Sequence, residues 1–222
     1  MVYDNGMKLE QAYDGQHFPL YFYEIPLLNL EIRCEQPDSP AEYLCLPASD
    51  KQIERTLLRA GVTDVAEAVW TVEMSMLPEQ VEAAVNLEDE DISSLNKLCR
   101  AIEPLDISQI EKLEAVILMA QPKDAGEVRQ LAENLDQFEF IPDVQTLEDY
   151  GQYMIQESGD FKYDENLEGF YDYRLYGEVR SRDDGGEFTD LGYVSYHGSL
   201  SLDELMREGA EQEQGPTMGG FS

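Results

Sequence analysis

Apolar and polar residues alternate from residue 28 to residue 34: Leu28, Leu30, Ile32 and Cys34 against Asn29, Glu31 and Arg33. A period of two predicts a half-buried β-strand. Gln36-Pro37-Asp38-Ser39-Pro40 predicts a loop, and Glu42 to Leu46 the returning strand. Ser49, with Gln52 three residues on, forms a capping box and predicts a helix start. Ile53, Leu57 and Ala60 would line that helix's inner face, and Gly61 would stop it. Alternation returns at Val69 to Met76 and predicts a third strand.

The period then lengthens. Pro78 opens a short helix over Leu77 to Val85. Ile92, Leu95, Leu98, Cys99 and Ile102 recur at spacings of three and four, the stripe of an amphipathic helix that ends before Pro104. Asp106 with Gln109, and Asp124 with Glu127, predict two more helix starts. The first helix carries Ile110, Leu113, Val116, Ile117 and Met119 and stops at Pro122; the second turns Val128, Leu131 and Leu135 inward. Carboxylates at these starts also suit the positive end of the helix macrodipole.

The last third mixes both periods. Phe138 to Ile141 predicts a short strand. Thr146 caps a helix through Tyr150, Met154 and Ile155, with Gly159 as its stop. A turn at Asn166 to Phe170 leads to a helical segment over residues 171–177. Glu187 to Thr189 and Tyr193 to Tyr196 predict a hairpin across Asp190-Leu191-Gly192. Ser201 caps a small helix, Leu202 to Arg207, and the Gly-, Glu- and Gln-rich stretch from Gly209 predicts disorder. The expected fold class is α+β, in three small modules: residues 28–76 β-rich, 77–136 helical, and 137–198 mixed with a C-terminal hairpin. A weakly ordered extension, 1–27, precedes them, and a short helix with a tail, 199–222, follows.

Charge changes this picture more than any motif does. The chain has 47 Asp and Glu against 15 Lys and Arg, a formal charge of −32 over 222 residues. Self-repulsion on this scale costs stability. An acidic disordered polymer does not fit, because 42% of residues are hydrophobic and 13 are Tyr. The acids recur between apolar positions through most of the chain, so acidic faces on folded elements are expected. Duplex DNA carries one charge per ~1.7 Å of axis, so this excess matches roughly 54 Å, or about 16 base pairs. Such a surface repels nucleic acid and anionic membranes, so the expected partner is basic.

Three cysteines, Cys34, Cys45 and Cys99, are an odd number without a Cys-x-x-Cys pair, which predicts free thiols in a reducing compartment. No signal peptide is read at the N-terminus. The longest apolar run, Ala115 to Ala120, is too short to span a bilayer. A soluble, cytoplasmic protein is expected.

Enzyme signatures are sparse. The histidines are His17 and His197, and neither a His-Glu-x-x-His pattern nor a phosphate-binding glycine loop is present. Glu88-Asp89-Glu90-Asp91 and Asp183-Asp184 lack the alternating offsets of a calcium loop, and Asp160 to Glu165 does not supply them either. These acids read as solvated faces, with no metal and no cofactor expected. A carboxylate pair for glycoside hydrolysis depends on spatial separation and stays open at this point. Eight tyrosines crowd the last third: Tyr150, Tyr153, Tyr163, Tyr171, Tyr173, Tyr176, Tyr193 and Tyr196. Acidic surroundings argue against a stacking platform for nucleic acid, so core packing or a protein interface is the better reading.

Three runs in the last third carry a resemblance. They are Leu147-Glu-Asp-Tyr-Gly-Gln-Tyr-Met-Ile-Gln-Glu-Ser-Gly159, Leu167-Glu-Gly-Phe-Tyr-Asp-Tyr-Arg-Leu-Tyr-Gly177 and Gly186-Glu-Phe-Thr-Asp-Leu-Gly-Tyr-Val194. They resemble the ArdA antirestriction family, in which a helix ending in a Ser/Thr-Gly signal precedes an Asp-Tyr-x-x-Tyr-Gly helix and a final hairpin. Upstream, Glu42-Tyr-Leu-Cys-Leu-Pro-Ala-Ser and Arg59-Ala-Gly-Val look like the family's first module. The resemblance spans roughly residues 28–196. Where the family usually has Tyr-Gly-Arg-Asp, this chain has Tyr176-Gly177-Glu178-Val179.

The resemblance implies a non-enzymatic DNA mimic encoded by mobile elements. It would be an elongated, three-module homodimer joined through its C-terminal module, occupying the DNA groove of Type I restriction–modification enzymes. The carboxylates expected to stand in for phosphates are Glu148, Asp149, Glu157, Asp160, Asp164, Glu165, Glu168, Asp172, Glu178, Asp183, Asp184 and Glu187. Tyr171, Tyr173 and Tyr176 are expected in the dimer contact or the module core. The residues alone also allow an acidic adaptor or chaperone-like module that binds a basic protein unrelated to DNA.

Overall fold

The computed structural model describes residues 9–12, 20–22, 26–34, 40–62, 68–159 and 161–212. These fall into two compact units. One takes its residues from 1–77 and 87–103, the other from 78–86 and 104–222.

In the first unit, β1 (Leu9–Ala12) and β2 (Leu20–Phe22) pair antiparallel. This differs from the expected weakly ordered extension: neither stretch alternates cleanly, and only their pairing makes them strands. The main sheet has β3 (Leu28–Cys34) at its centre, between β4 (Glu42–Leu46) and β5 (Ala68–Ser75), all antiparallel. The predicted inner residues Leu28, Leu30 and Ile32 are fully buried, with Leu46 and Leu44 opposite Leu28 and Leu30. Most of the Gln36–Pro40 loop lies outside the described residues.

Helix α1 (Asp50–Arg59) starts at Ser49, whose backbone N–H donates to the Gln52 side chain at 2.8 Å. Gly61, at φ +77°, ends the turn that follows, a conformation glycine adopts without strain. The Asn96 side chain, buried within the first unit, accepts from Ala48 N at 2.7 Å and donates to Ala48 O at 3.0 Å. That reciprocal pair satisfies the buried amide and fastens the chain just after β4 to α3 (Ile92–Ile102). All five stripe residues of α3 are buried. Burial, aided by Glu103, pushes the Cys99 thiol up to about 12. Cys34 and Cys99 are buried and Cys45 is exposed, and none of the three is in a disulfide.

In the second unit, α2 (Glu79–Ala84), α4 (Ile107–Ala120) and α5 (Ala125–Glu133) follow the predicted starts, with α2 covering the predicted Leu77–Val85 stretch in shorter form. Asp106 accepts from Gln109 N at 2.9 Å, and Asp124 from Glu127 N at 2.8 Å. Leu113, Val116, Val128 and Leu131 are fully buried. The second sheet has the order β6-β8-β7, with β6 (Phe138–Pro142), β7 (Glu187–Phe188) and β8 (Gly192–Tyr196) antiparallel. The hairpin β7–β8 was expected. The pairing of β8 with β6, across some fifty residues of chain, was not. Helices α6 (Leu147–Gln156), α7 (Tyr173–Asp184) and α8 (Leu202–Gln212) complete an α+β fold of helices and small antiparallel sheets.

Two predicted boundaries are corrected. The helix expected over 171–177 begins at Tyr173 and runs to Asp184, with Asp172 as its N-cap and Gly185, at φ +65°, as its C-cap. Tyr171 therefore precedes it. The terminal helix continues past Arg207 and Gly209 to Gln212. The remaining tail, 213–222, lies outside the described residues, as does His17.

Candidate functional site

The acidic, tyrosine-rich last third is built around a close crossing of α6 and α7. A Cβ on Gly151 would lie 1.8 Å from the Tyr173 carbonyl oxygen, and one on Gly177 would lie 1.9 Å from that of Leu147. Both positions exclude any side chain, so the two helices touch backbone to backbone. Glycine in a helix interior costs roughly 0.5–1 kcal/mol relative to alanine. Here the close approach supplies the reason for it.

Beneath the crossing lies a core of Ile141, Val144, Tyr150, Met154 and Tyr193, with Tyr153, Tyr176 and Phe188 half-buried against it. The rings of Tyr150 and Tyr193 stack at 4.2 Å between centroids. The Tyr150 hydroxyl donates to the Asp184 carboxylate. Burial and that carboxylate both hold the phenol above its ordinary pKa. The three tyrosines singled out in the sequence are half-buried. Tyr171 sits edge-on to Phe161 at 5.8 Å and lies beside Tyr173 at 6.0 Å. Its hydroxyl accepts from Asp164 N at 3.1 Å, and that of Tyr173 accepts from Gln156 at 2.8 Å.

The twelve carboxylates do not share one role. Five have work inside the fold. Asp149 accepts from Thr146 N and Oγ1 in the α6 capping box. Asp164 accepts from Asn166, whose backbone and side-chain N–H groups hold its carboxyl below the usual carboxylate range. Asp172 caps α7 by accepting from Leu175 N at 3.0 Å. Glu178 pairs with Arg182 one turn on, and Asp184 holds Tyr150. The second group, Glu148, Glu157, Glu165, Glu168, Asp183 and Glu187, is exposed. Asp160 lies outside the described residues. Sequence reading did not separate the two groups, although the position of Asp149 three residues after Thr146 carries the capping signal for one of them.

Several features were not anticipated. Phe170, Leu175 and Val179 are 86%, 57% and 50% exposed, an apolar surface on and beside α7. Asp143, between β6 and α6, has φ +62°, and its N–H donates to Leu191 O at 3.1 Å. Asp tolerates this left-handed geometry better than most residues, so its place in a strand-to-helix turn was the available signal. Ser195 Oγ lies 2.8 Å from His197 Nε2, with a Glu139 oxygen 3.5 Å from the same nitrogen. A nucleophile–base–carboxylate relay needs the two partners on opposite ring nitrogens, and Ser195 is 1% exposed, so this trio does not make one. Among the described residues no group of three or more His, Cys, Asp or Glu could hold a metal ion, and no helix is long and apolar enough to cross a membrane.

The model of the antirestriction protein (ArdA) family matches residues 41–195, well over half of the chain. The chain belongs to the ArdA antirestriction family. The match takes in the β4–α1 segment, the helical middle, the α6–α7 crossing and the β7–β8 hairpin, including each run that carried the resemblance. Antirestriction is therefore the functional class of the protein. No curated protein matches the chain.

Proposed function

We propose that the chain inhibits Type I restriction–modification enzymes as a DNA mimic, without catalysing a reaction. The observation that carries this reading is the exposed set Glu148, Glu157, Glu165, Glu168, Asp183 and Glu187, on a family member with a formal charge of −32. These carboxylates stand in for phosphates and pair with Lys and Arg of the enzyme's DNA channel. Pairing releases counterions and excludes DNA from the channel. Asp149, Asp164, Asp172, Glu178 and Asp184 keep the frame in place and add to the field. Exposed pairs contribute roughly 0–1 kcal/mol each, so affinity is spread over many contacts.

In this reading the protein works as an elongated homodimer, each chain with modules at 28–76, 77–136 and 137–198. The last module dimerises through the exposed Phe170, Leu175 and Val179, with Tyr171, Tyr173 and Tyr176 stiffening the surface from behind. Inhibition of a purified Type I enzyme, measured for single and block carboxamide variants, tests the proposal. Single Glu-to-Gln changes in the exposed set should weaken inhibition about twofold or less, and changing the whole set should weaken it by several orders of magnitude. Abolition by one exposed carboxylate alone would overturn the distributed mechanism.

A further inference from the structure

Between the end of β6 and one face of α6 lies an open recess of about 400 Å³. Its lining takes in the edges of the core residues Ile141 and Val144, the half-buried ring of Tyr153, and the carboxylates of Asp143, Asp149 and Glu157. Asp149, Tyr153 and Glu157 are spaced by four residues along α6, so they share one helix face. Tyr153 is fixed there by packing against the core.

Two features of the recess work against stability. Asp143 holds a left-handed backbone, which Asp adopts more readily than most residues but still at a cost. Glu157 is the C-cap of α6, where the macrodipole is already negative and disfavours a carboxylate. Together they concentrate negative potential beside apolar edges and a ring. That combination complements a long cationic side chain. Methylenes would lie on the edges of Ile141 and Val144, and the cation would meet Tyr153 and the carboxylates. A planar guanidinium suits it better than an ammonium, because it both stacks on a ring and forms forked bonds to a carboxylate.

We infer that this recess seats an arginine side chain of the partner and so anchors an interface that is otherwise diffuse. The inference rests on the DNA-mimic reading for the partner's identity, but its chemistry can be tested without the enzyme. The full chain is titrated with a hexa-arginine peptide and followed by amide chemical shifts. The largest shifts should fall on Ile141, Val144 and Tyr153, and a hexa-lysine peptide should bind several-fold more weakly. Shifts spread evenly over the acidic surface, or equal affinity for the two peptides, would overturn the groove.

The double variant Asp143→Asn/Glu157→Gln keeps a residue that tolerates the left-handed turn and removes the unfavourable helix-end charge, so it should fold. It should lose about tenfold in hexa-arginine affinity. Glu79→Gln/Glu82→Gln on α2, with the same charge change, should lose about twofold or less. Equal losses would mean general electrostatics and would sink the anchor. In the inhibition assay the same pair of variants should differ in the same order. Salt-insensitive inhibition by the unaltered chain would instead sink mimicry, while the peptide titration would still decide whether the groove takes arginine.

Discussion

Helices α3, α4 and α5 treat their side chains in one way, and α6 and α7 in another. In the first three, the apolar residues are aliphatic and mostly buried, with Ile110, Leu118 and Met119 of α4 half-buried, and Asp91, Asp106 and Asp124 sit at helix starts as caps while Glu111 and Glu133 face water. Ile107, 81% exposed at the head of α4, is the exception. No tyrosine occurs between Tyr43 and Tyr150. In α6, α7 and the turns around them, rings replace many aliphatics: Tyr150 is buried, Tyr153, Tyr171, Tyr173 and Tyr176 are half-buried, Phe170, Leu175 and Val179 face outward, and carboxylates remain exposed after the caps are filled. Where apolar residues and acids are left outside together on a well-packed frame, the proposed mechanism gives that surface the work.

The sharpest way to break this contrast is to destroy the frame and keep the surface. Gly177→Ala places a methyl group against the Leu147 carbonyl oxygen. It should cost about 3 kcal/mol or more in chemical denaturation and abolish inhibition, although no acid is lost. A stable, active Gly177→Ala protein would mean that α6 and α7 do not cross as described. A milder change, Leu131→Ala in α5, removes a fully buried side chain. It should cost about 2–5 kcal/mol by leaving a cavity, with the inhibition of the remaining folded protein unchanged.

Next in size is the exposed apolar surface. Leu175→Ser with Val179→Ser should change stability by less than about 0.5 kcal/mol, because neither residue is buried. It should convert a dimer to a monomer in light scattering. A dimer that survives would move the interface elsewhere.

At ordinary pH the smallest effect comes from α3. The Cys99 thiol is raised to about 12 in the fold, above the ordinary value of about 8.5. A raised folded pKa gives stability that is complete below the unfolded value and is lost as pH rises through the folded one. Stability should therefore fall on the alkaline side, between about 8.5 and about 12. Cys99→Ala should flatten the early part of that fall. Tyr150, also raised, should act in the same direction at higher pH.

Much of the frame could be read before any coordinates. The stripe of α3, the Asp106, Asp124 and Thr146 caps and the alternation of β3 are local signals, and local signals survive folding. What escaped was non-local or weakly patterned. The second half of α7, Val179 to Asp184, has no buried apolar residue to mark it as helix, so its length was underestimated. The β6–β8 pairing depends on contacts distant in sequence. Gly151 and Gly177 look like weak points in a helix until the opposing backbone is seen at each. The acids were all visible, but composition does not distinguish Asp184, fastened to Tyr150, from Asp183 beside it, facing water.

The central claim is that the exposed carboxylates replace DNA phosphates. The most direct measurement is competition between this protein and duplex DNA for a purified Type I methyltransferase, repeated from about 50 to 200 mM salt. Mimicry predicts a dissociation constant for the protein that rises steeply and linearly on logarithmic axes, alongside the constant for DNA itself. A constant that stays flat across that range, with DNA still displaced, would contradict it.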